Sequence, residues 1–444
     1  MDIKSLSQAI VRECLRKGAD AAEVYIESGR SLSLEVRNGD IETVEEAASQ
    51  GAGIRVFLGG RMAFASSNDL AEAALAAAVG RAIGFARITT ADPNNVLPDD
   101  PGSAGVEGLF DPAIATVPLE RKIGLALEAE KAALAVAGVS KSAGAAWQEG
   151  EDEIAIANSL GLAKSVRTSS CGFGVSVVAE KGEQKTTGGE SCNRRFFADL
   201  KAPAEVAAKA GREAAAMLDP RPVKTQRAAV IFDPDAAGAL LGGILGAVHG
   251  ERVLQKASFL ADKVGRSVAS TLLTILDDGL LPKGPASAPF DGEGTACRTR
   301  RIIDQGVLQG FLYNAAVARR AGTKSTGNAS RGGFTALPGI GAHNFYAAAG
   351  TAKAADIIAS TPRGLWLKEV TGYGINSVNG QFSGGAAGFW IENGKVAFPV
   401  RGLTVAGTAD EILMGIDALA DDLDLSRART APTFRVRSLQ IGGE

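Results

Sequence analysis

Histidine is nearly missing from this chain: His249 and His343 are the only two among 444 residues. General bases and zinc ligands are drawn heavily from histidine, so its scarcity narrows the chemistry the chain can carry alone. Cysteine is sparse too. Cys14, Cys171, Cys192 and Cys297 are scattered with no C-x-x-C pair, which reads as free thiols packed like small hydrophobes. Neither sign of charge is in excess. With 47 Lys and Arg against 50 Asp and Glu, the net charge of -3 offers no electrostatic footprint for nucleic acid or an anionic membrane. The longest apolar run, 236–248, falls short of the ~20 residues that span a bilayer. Asp2, Lys4 and Gln8 interrupt any signal-peptide core at the start. These absences point to a cytoplasmic protein with no nucleic-acid and no membrane partner.

Glycine is abundant, with 55 residues, and it concentrates in the stretch 371–405. There Asn393-Gly394 lies between Gly388-Phe389-Trp390-Ile391 and Val396-Ala397-Phe398. A hairpin turn of this kind needs positive φ at both central positions, and Asn-Gly supplies it. Gly384, Gly385 and Gly388 remove side chains where another backbone or a ligand could approach.

The periodicity predicts an α+β chain, with N-terminal helix–sheet–helix blocks followed by a β-rich C-terminal domain. A 3.6-residue apolar period over 3–17 predicts a helix. Strand patterns follow at 22–27, 32–36, 41–44, 53–58 and 62–65, with turns at Asn38-Gly39 and Gly59-Gly60. Ser67-Asn68-Asp69 provides capping chemistry for an Ala-rich helix to about residue 86. The order then recurs: helix 119–136, strands at 143–149, 153–158, 163–178 and 183–187, and helix 205–218. This reads as two tandem blocks, about 1–90 and 110–220, with a single α/β layer as the alternative. Asp219-Pro220-Arg221-Pro222 breaks the pattern, dividing region 1–220 from a domain at 225–444. In that domain a strand at 227–232 and helix 235–248 precede strands at 271–276, 295–303, 307–312 and 366–370. The hairpin, a helix at 414–423 and a strand at 433–441 complete it.

Motifs of catalysis are thin. His249 and Glu251 are two apart, so on a helix they face different ways and cannot chelate together. Lys324-Ser325-Thr326-Gly327-Asn328 has the texture of an anion cradle but lacks P-loop spacing, and G-x-S-x-G is absent. Asp421, Asp422 and Asp424 read as an acidic turn after a helix.

Several segments together carry a resemblance. They are Asn158-Ser159-Leu160-Gly161-Leu162, Lys256-Ala257-Ser258-Phe259-Leu260 and Pro289-Phe290-Asp291-Gly292-Glu293-Gly294, with 325–328, His343-Asn344 and the block 372–407. Across essentially its full length the chain resembles the TldD/PmbA family (modulator of DNA gyrase), on its PmbA or TldE side. The resemblance implies a cytoplasmic metallopeptidase system in which TldD and PmbA subunits form a heterodimer. In that system the TldD subunit holds zinc through His-Glu-x-x-x-His and a C-terminal Cys. Aligned from Lys256, the first His falls on Gly242, the Glu on Gly243 and the second His on Ala247, and 423–430 contains no Cys. Catalytic and metal residues are therefore expected to be absent here, with zinc only in a TldD-like partner. His343, Asn344, Tyr373, Asn376, Asn379, Gln381 and Ser383 are the candidates for contacting unfolded peptide or a partner. The alternative is a homodimeric peptide- or ligand-binding scaffold without protease activity.

Overall fold

A computed structural model describes residues 2–98, 102–372 and 374–444. The chain folds as α+β: helix–sheet units come first and a β-rich region follows. Helix α1 (Ile3–Arg16) starts at Asp2, whose carboxylate accepts the N–H groups of Lys4 and Ser5, and buries Ile3, Ile10, Val11 and Cys14. Strands β1 (Ala21–Arg37), β2 (Asp40–Leu58) and β3 (Arg61–Ser67) and helix α2 (Glu72–Ala86) complete the first block. Helix α3 (Leu119–Leu134), strands β4 (Val139–Asn158), β5 (Ala163–Lys181) and β6 (Gln184–Arg194) and helix α4 (Pro203–Ala216) repeat it. The two blocks share one six-stranded sheet of order β3-β2-β1-β4-β5-β6, joined where β1 and β4 run antiparallel.

Four expectations about this half differ from the structure. The separate strands at 22–27 and 32–36 are one strand, and so are 41–44 with 53–58 and 143–149 with 153–158. The joining residues show no apolar alternation, yet their backbones stay paired, as Ser31↔Ala47 and Arg30↔Glu151 do. Helix α2 also begins without a side-chain cap. Asp69 accepts the N–H of Ala71 at 2.8 Å in the turn before it, and Ala71 occupies the cap position. Residues 40–51 of β2 pair only with β1, because β3 covers Ala52 to Leu58, so a long strand edge stays open.

One face of the sheet carries the helices. Val24, Ile26 and Ile54 pack under α1 and α2, and Leu34, Val36 and Trp147 pack under α3 and α4. The opposite face presents Tyr25, Ile154 and Ile156 to Phe290, Leu162 and Phe334, which docks the C-terminal region. Each fully buried large apolar side chain contributes about 1.5–3 kcal/mol of burial free energy.

The C-terminal region starts with β7 (Gln226–Phe232), α5 (Pro234–Ala247) and the single turn α6 (Gly250–Leu254). It continues through β8 (Ile275–Asp278), β9 (Thr299–Asp304), β10 (Val307–Leu308), α7 (Ala315–Arg320), β11 (Ala329–Ser330), β12 (Gly339–Ile340), β13 (Asn344–Ala347) and α8 (Ala354–Ala359). Strands β14 (Arg363–Thr371), β15 (Gln381–Glu392), β16 (Lys395–Thr408), helix α9 (Ala409–Gly415), β17 (Ile416–Leu419), β18 (Arg429–Thr430) and β19 (Phe434–Gly442) finish the chain. The sheet β16-β15-β14-β7-β19-β17 closes on itself through an additional β16–β19 pairing, around Phe232, Phe382, Phe434 and Trp390. A second sheet, β10-β9-β8-β13-β18, lies across α5. The hairpin at Asn393-Gly394 forms as expected, with φ of 51° and 71°. The helix expected at 414–423 does not. Thr408 and Glu411 form a capping box that starts α9 earlier, and the chain turns extended at Ile416 to pair with β19. Asp421, Asp422 and Asp424 therefore follow a strand, and they build turns: Asp422 accepts the N–H of Thr433 at 2.8 Å and Asp424 that of Ser426 at 2.9 Å.

Candidate functional site

Helix α5 carries the positions at which the resemblance implies the TldD zinc motif. Asp233 caps it and Pro234 occupies its first turn. Gly238, Gly242 and Gly246, four residues apart, form one bare face. Gly238 and Gly242 face residues 429–430, and the loop at 374–380 lies against Gly243 and Gly246. A Cβ at position 243 would come within 2.6 Å of Ile375 Cβ, and one at 246 within 2.9 Å of Ser377 Cβ. At 242 the neighbour is the Arg429 guanidinium, 3.3 Å away. Ala247 is fully buried. These positions offer no donor atom, and among the described residues no group of three or more His, Cys, Asp or Glu could hold a metal. The residues present do not fit a zinc ion.

The loop is fastened from several sides. Asn376 Oδ1 accepts the N–H of Val378 at 2.9 Å, Asn379 Oδ1 accepts that of Gln381 at 3.0 Å, and Asn376 N–H donates to Gln381 O at 2.8 Å. Arg252 donates to Ser377 Oγ at 2.7 Å, and the Phe259 N–H donates to Ser377 O at 3.1 Å. Two of the motif segments, 256–260 and 372–407, thus meet on α5. Asn376, Asn379, Gln381 and Ser383 are each exposed in this loop and the strand that follows it. Tyr373 lies outside the described residues.

His249 follows α5 as the N-cap of α6. It borders a cleft of about 240 Å³ shared with Arg55, Asn95, Glu251, Asn314 and Arg320. Its Nδ1 is buried without a hydrogen-bond partner among the described residues, and burial, aided by Arg252, pushes its pKa down. The imidazole is held neutral there.

His343 and Asn344 stand apart from the loop candidates, at the start of β13. Asn344 is 1% exposed and its amide is used internally: Nδ2 donates to Asp278 O at 2.7 Å and Ser287 Oγ at 2.8 Å, and Oδ1 accepts from Ala286. His343 Nε2 lies 3.0 Å from Cys297 Sγ, and its Nδ1 lies 3.3 Å from Asp277 Oδ2. Burial opposes charge on His343, but the bonds to Asp277 and Cys297 outweigh it and push the pKa up to about 10. Burial pushes the Cys297 thiol up as well, with His343 opposing. The hydroxyls of 325–328, read from sequence as a possible anion cradle, are spent internally: Thr326 Oγ1 donates to Asn328 Oδ1 at 2.7 Å.

A buried ionic cluster escaped sequence reasoning. Arg55 Nη2 meets Glu23 at 2.7 Å and Glu293 at 3.0 Å, while Arg331 pairs with the other oxygen of Glu23. It ties β1 and β2 to the 289–294 turn. Beside it, Asp291 is pushed up to about 7 by burial and by Glu293, against three backbone N–H donors that favour its charge. Asn158-Ser159-Leu160-Gly161-Leu162 joins the same junction, because Leu162 packs on Gly294 at positive φ. The segment 289–294 was the only available signal, since Glu23, Arg55 and Arg331 sit in unremarkable local sequence.

With this geometry in view, three family profiles match in order. The PmbA/TldA metallopeptidase domain 1 matches residues 22–86, the central domain 112–218 and the C-terminal domain 225–443. The chain is 31% identical to Metalloprotease PmbA of Escherichia coli O157:H7 over 430 residues, covering 96% of this chain and 93% of that one. It is 26% identical to the Metalloprotease TldD homolog of Haemophilus influenzae, covering 92% and 87%. In structure it is similar to a protein from Bacteroides thetaiotaomicron described as a modulator of DNA gyrase, with a TM-score of 0.91, 25% identity and full coverage of both chains. TldE from Thermococcus kodakarensis shares the fold, with a TM-score of 0.90 at 23% identity over 99% of this chain and 100% of that one. Together the three profiles span most of the chain, from its first helix–sheet block to the closed β-rich region. The chain belongs to the PmbA/TldD family.

Proposed function

We propose that this chain is a PmbA/TldE-type subunit that does not cleave peptides by itself and works in the cytoplasm with a TldD-like zinc protease. The observation that carries this reading is the packing of Ile375 against Gly243. The position that the resemblance assigns to a general-base Glu has no side chain, and the neighbouring backbone and side chain of Ile375 occupy the space one would need. Zinc then belongs to the partner. The role left to this chain is to hold unfolded peptide near that partner, and exposed Gln381 and Ser383 on β15, with Asn376 and Asn379, are suited to line the path. Co-expression with a TldD-like protein tests this: cleavage of an unfolded peptide is expected only from the pair, and a chelator is expected to abolish it. Chelator-sensitive cleavage by this chain alone, with stoichiometric zinc, would overturn it.

The open edge of β2 favours a second reading, a homodimeric peptide-binding scaffold, because an unpaired edge is a ready surface for association. Light scattering of the chain alone and mixed with a TldD-like protein separates the two. A homodimer that refuses exchange supports the scaffold.

A further inference from the structure

Of the four cysteines, three share one kind of surrounding. Cys14 sits in the apolar layer under α1 and α2, and Cys171 and Cys192 sit in the layer under α3 and α4. Burial pushes Cys14 and Cys171 up to about 12 with no imidazole beside them. Cys297 differs. Its sulfur faces His343 Nε2 at 3.0 Å, and the far side of the ring is set by Asp277. Asp277 is 1% exposed and is itself fixed, with Oδ1 accepting the His343 N–H and Oδ2 accepting Asn328 Nδ2, both at 2.6 Å. A proton on Nδ1 points to Asp277, which leaves Nε2 to exchange a proton with the thiol.

Space around the pair is also arranged. Gly279 packs directly on it: a Cβ there would lie 2.7 Å from Cys297 Cβ and 3.3 Å from His343 Cγ. His343 borders a cleft of about 260 Å³ between the first sheet and the C-terminal region, walled by Tyr25, Ile154, Val166 and Phe290. Cys297 itself is 1% exposed and lies behind the ring. A reagent must therefore pass the edge of His343, which selects small molecules and excludes peptides and bulky thiols.

We propose that Cys297, His343 and Asp277 form a thiol-modification site that reacts with hydrogen peroxide, the cleft serving as its entrance. In the step, the Cys297 thiolate attacks one peroxide oxygen, an S–O bond forms and the O–O bond breaks. Sulfur loses two electrons, the peroxide is reduced, and the proton on His343 Nε2 leaves with the second oxygen as water. The product is a sulfenic acid that hydrogen-bonds to His343. The other three cysteines lie in the two layers beneath the N-terminal helices, away from this site, so the reaction stops there without a disulfide.

The full chain carries its own controls. Native protein is exposed to increasing hydrogen peroxide, then unfolded in excess alkylating reagent, and each cysteine peptide is quantified by mass. Cys297 is expected to lose its free thiol at least ten-fold faster than Cys14, Cys171 and Cys192, and all four are expected to react alike when peroxide is added in urea. His343→Gln and Asp277→Asn should bring the Cys297 rate down toward the other three. A variant that merely loosens the fold would instead raise all four together. Oxidation of Cys297 no faster than the other three in the unmodified chain would overturn the proposal without any variant, as would an unchanged Cys297 rate in a folded His343→Gln protein.

Discussion

Gly243 of α5 and Ile375, in the loop between β14 and β15, touch so closely that a Cβ on the glycine would meet Ile375 Cβ at 2.6 Å and its carbonyl carbon at 2.9 Å. Rigid backbone lies on the loop side of this contact, so little can move aside. Gly243→Glu is expected to destabilise the chain by about 1–3 kcal/mol through overpacking, without creating hydrolysis. A urea unfolding curve with a peptide-cleavage assay checks both, and a stable, active Gly243→Glu variant would contradict the packing.

Arg55 bridges two carboxylates that have almost no contact with water, Glu23 at 1% and Glu293 at 0% exposure. Arg55→Met leaves Glu293 without its cation and Glu23 with Arg331 alone, and is expected to cost about 3–5 kcal/mol. Arg30 pairs with Glu151 at 2.8 Å but is 60% exposed, so Arg30→Met should cost less than about 1 kcal/mol. Equal losses in the two unfolding curves would show that burial does not govern these pairs.

Two of the chain's Asn-Gly turns offer another contrast. Gly39 and Gly394 both have positive φ, 84° and 71°. A methyl group added at Gly39 would find nothing within 4 Å, whereas at Gly394 it would lie 3.0 Å from the Ala359 carbonyl carbon. Gly39→Ala should cost about 1–2 kcal/mol from backbone strain alone. Gly394→Ala should cost more, because strain and collision add. Thermal melts of the two variants decide it.

His343 makes stability depend on pH in a defined direction. Its folded pKa is raised, from 6.5 to about 10, so its contribution is complete below pH 6.5 and is lost as pH rises toward 10. Between about pH 6.5 and pH 10, wild-type stability should therefore fall more steeply than that of His343→Gln. Parallel slopes over that window would place the histidine's pKa near its ordinary value.

Much of the architecture was legible locally. The helices at 3–16, 119–134 and 234–247 carry apolar periods or caps, and the turns at Asn38-Gly39, Gly59-Gly60 and Asn393-Gly394 announce their φ values in their residues. The long strands were less legible, because residues such as 45–50 are exposed on both faces and pair through backbone groups that every sequence possesses. The expected helix at 414–423 failed for a related reason. Local spacing there suits a helix, but β19 offered Ile416 to Leu419 a strand partner. Of the candidate contacts, Asn376, Asn379, Gln381 and Ser383 are each exposed, while Asn344 went into an internal network.

Residue types alone determined the α+β pattern and the turns, since each depends on side chains and φ preferences within a few residues. Only the tertiary structure decided that Ile375 fills the space beside Gly243, that Arg55 meets both Glu23 and Glu293, and that Cys297 lies beside His343. Arg55 stands 32 positions from Glu23 and 238 from Glu293, and Cys297 stands 46 from His343. At such separations it is chain closure around a shared core that brings residues together, and no local pattern encodes it.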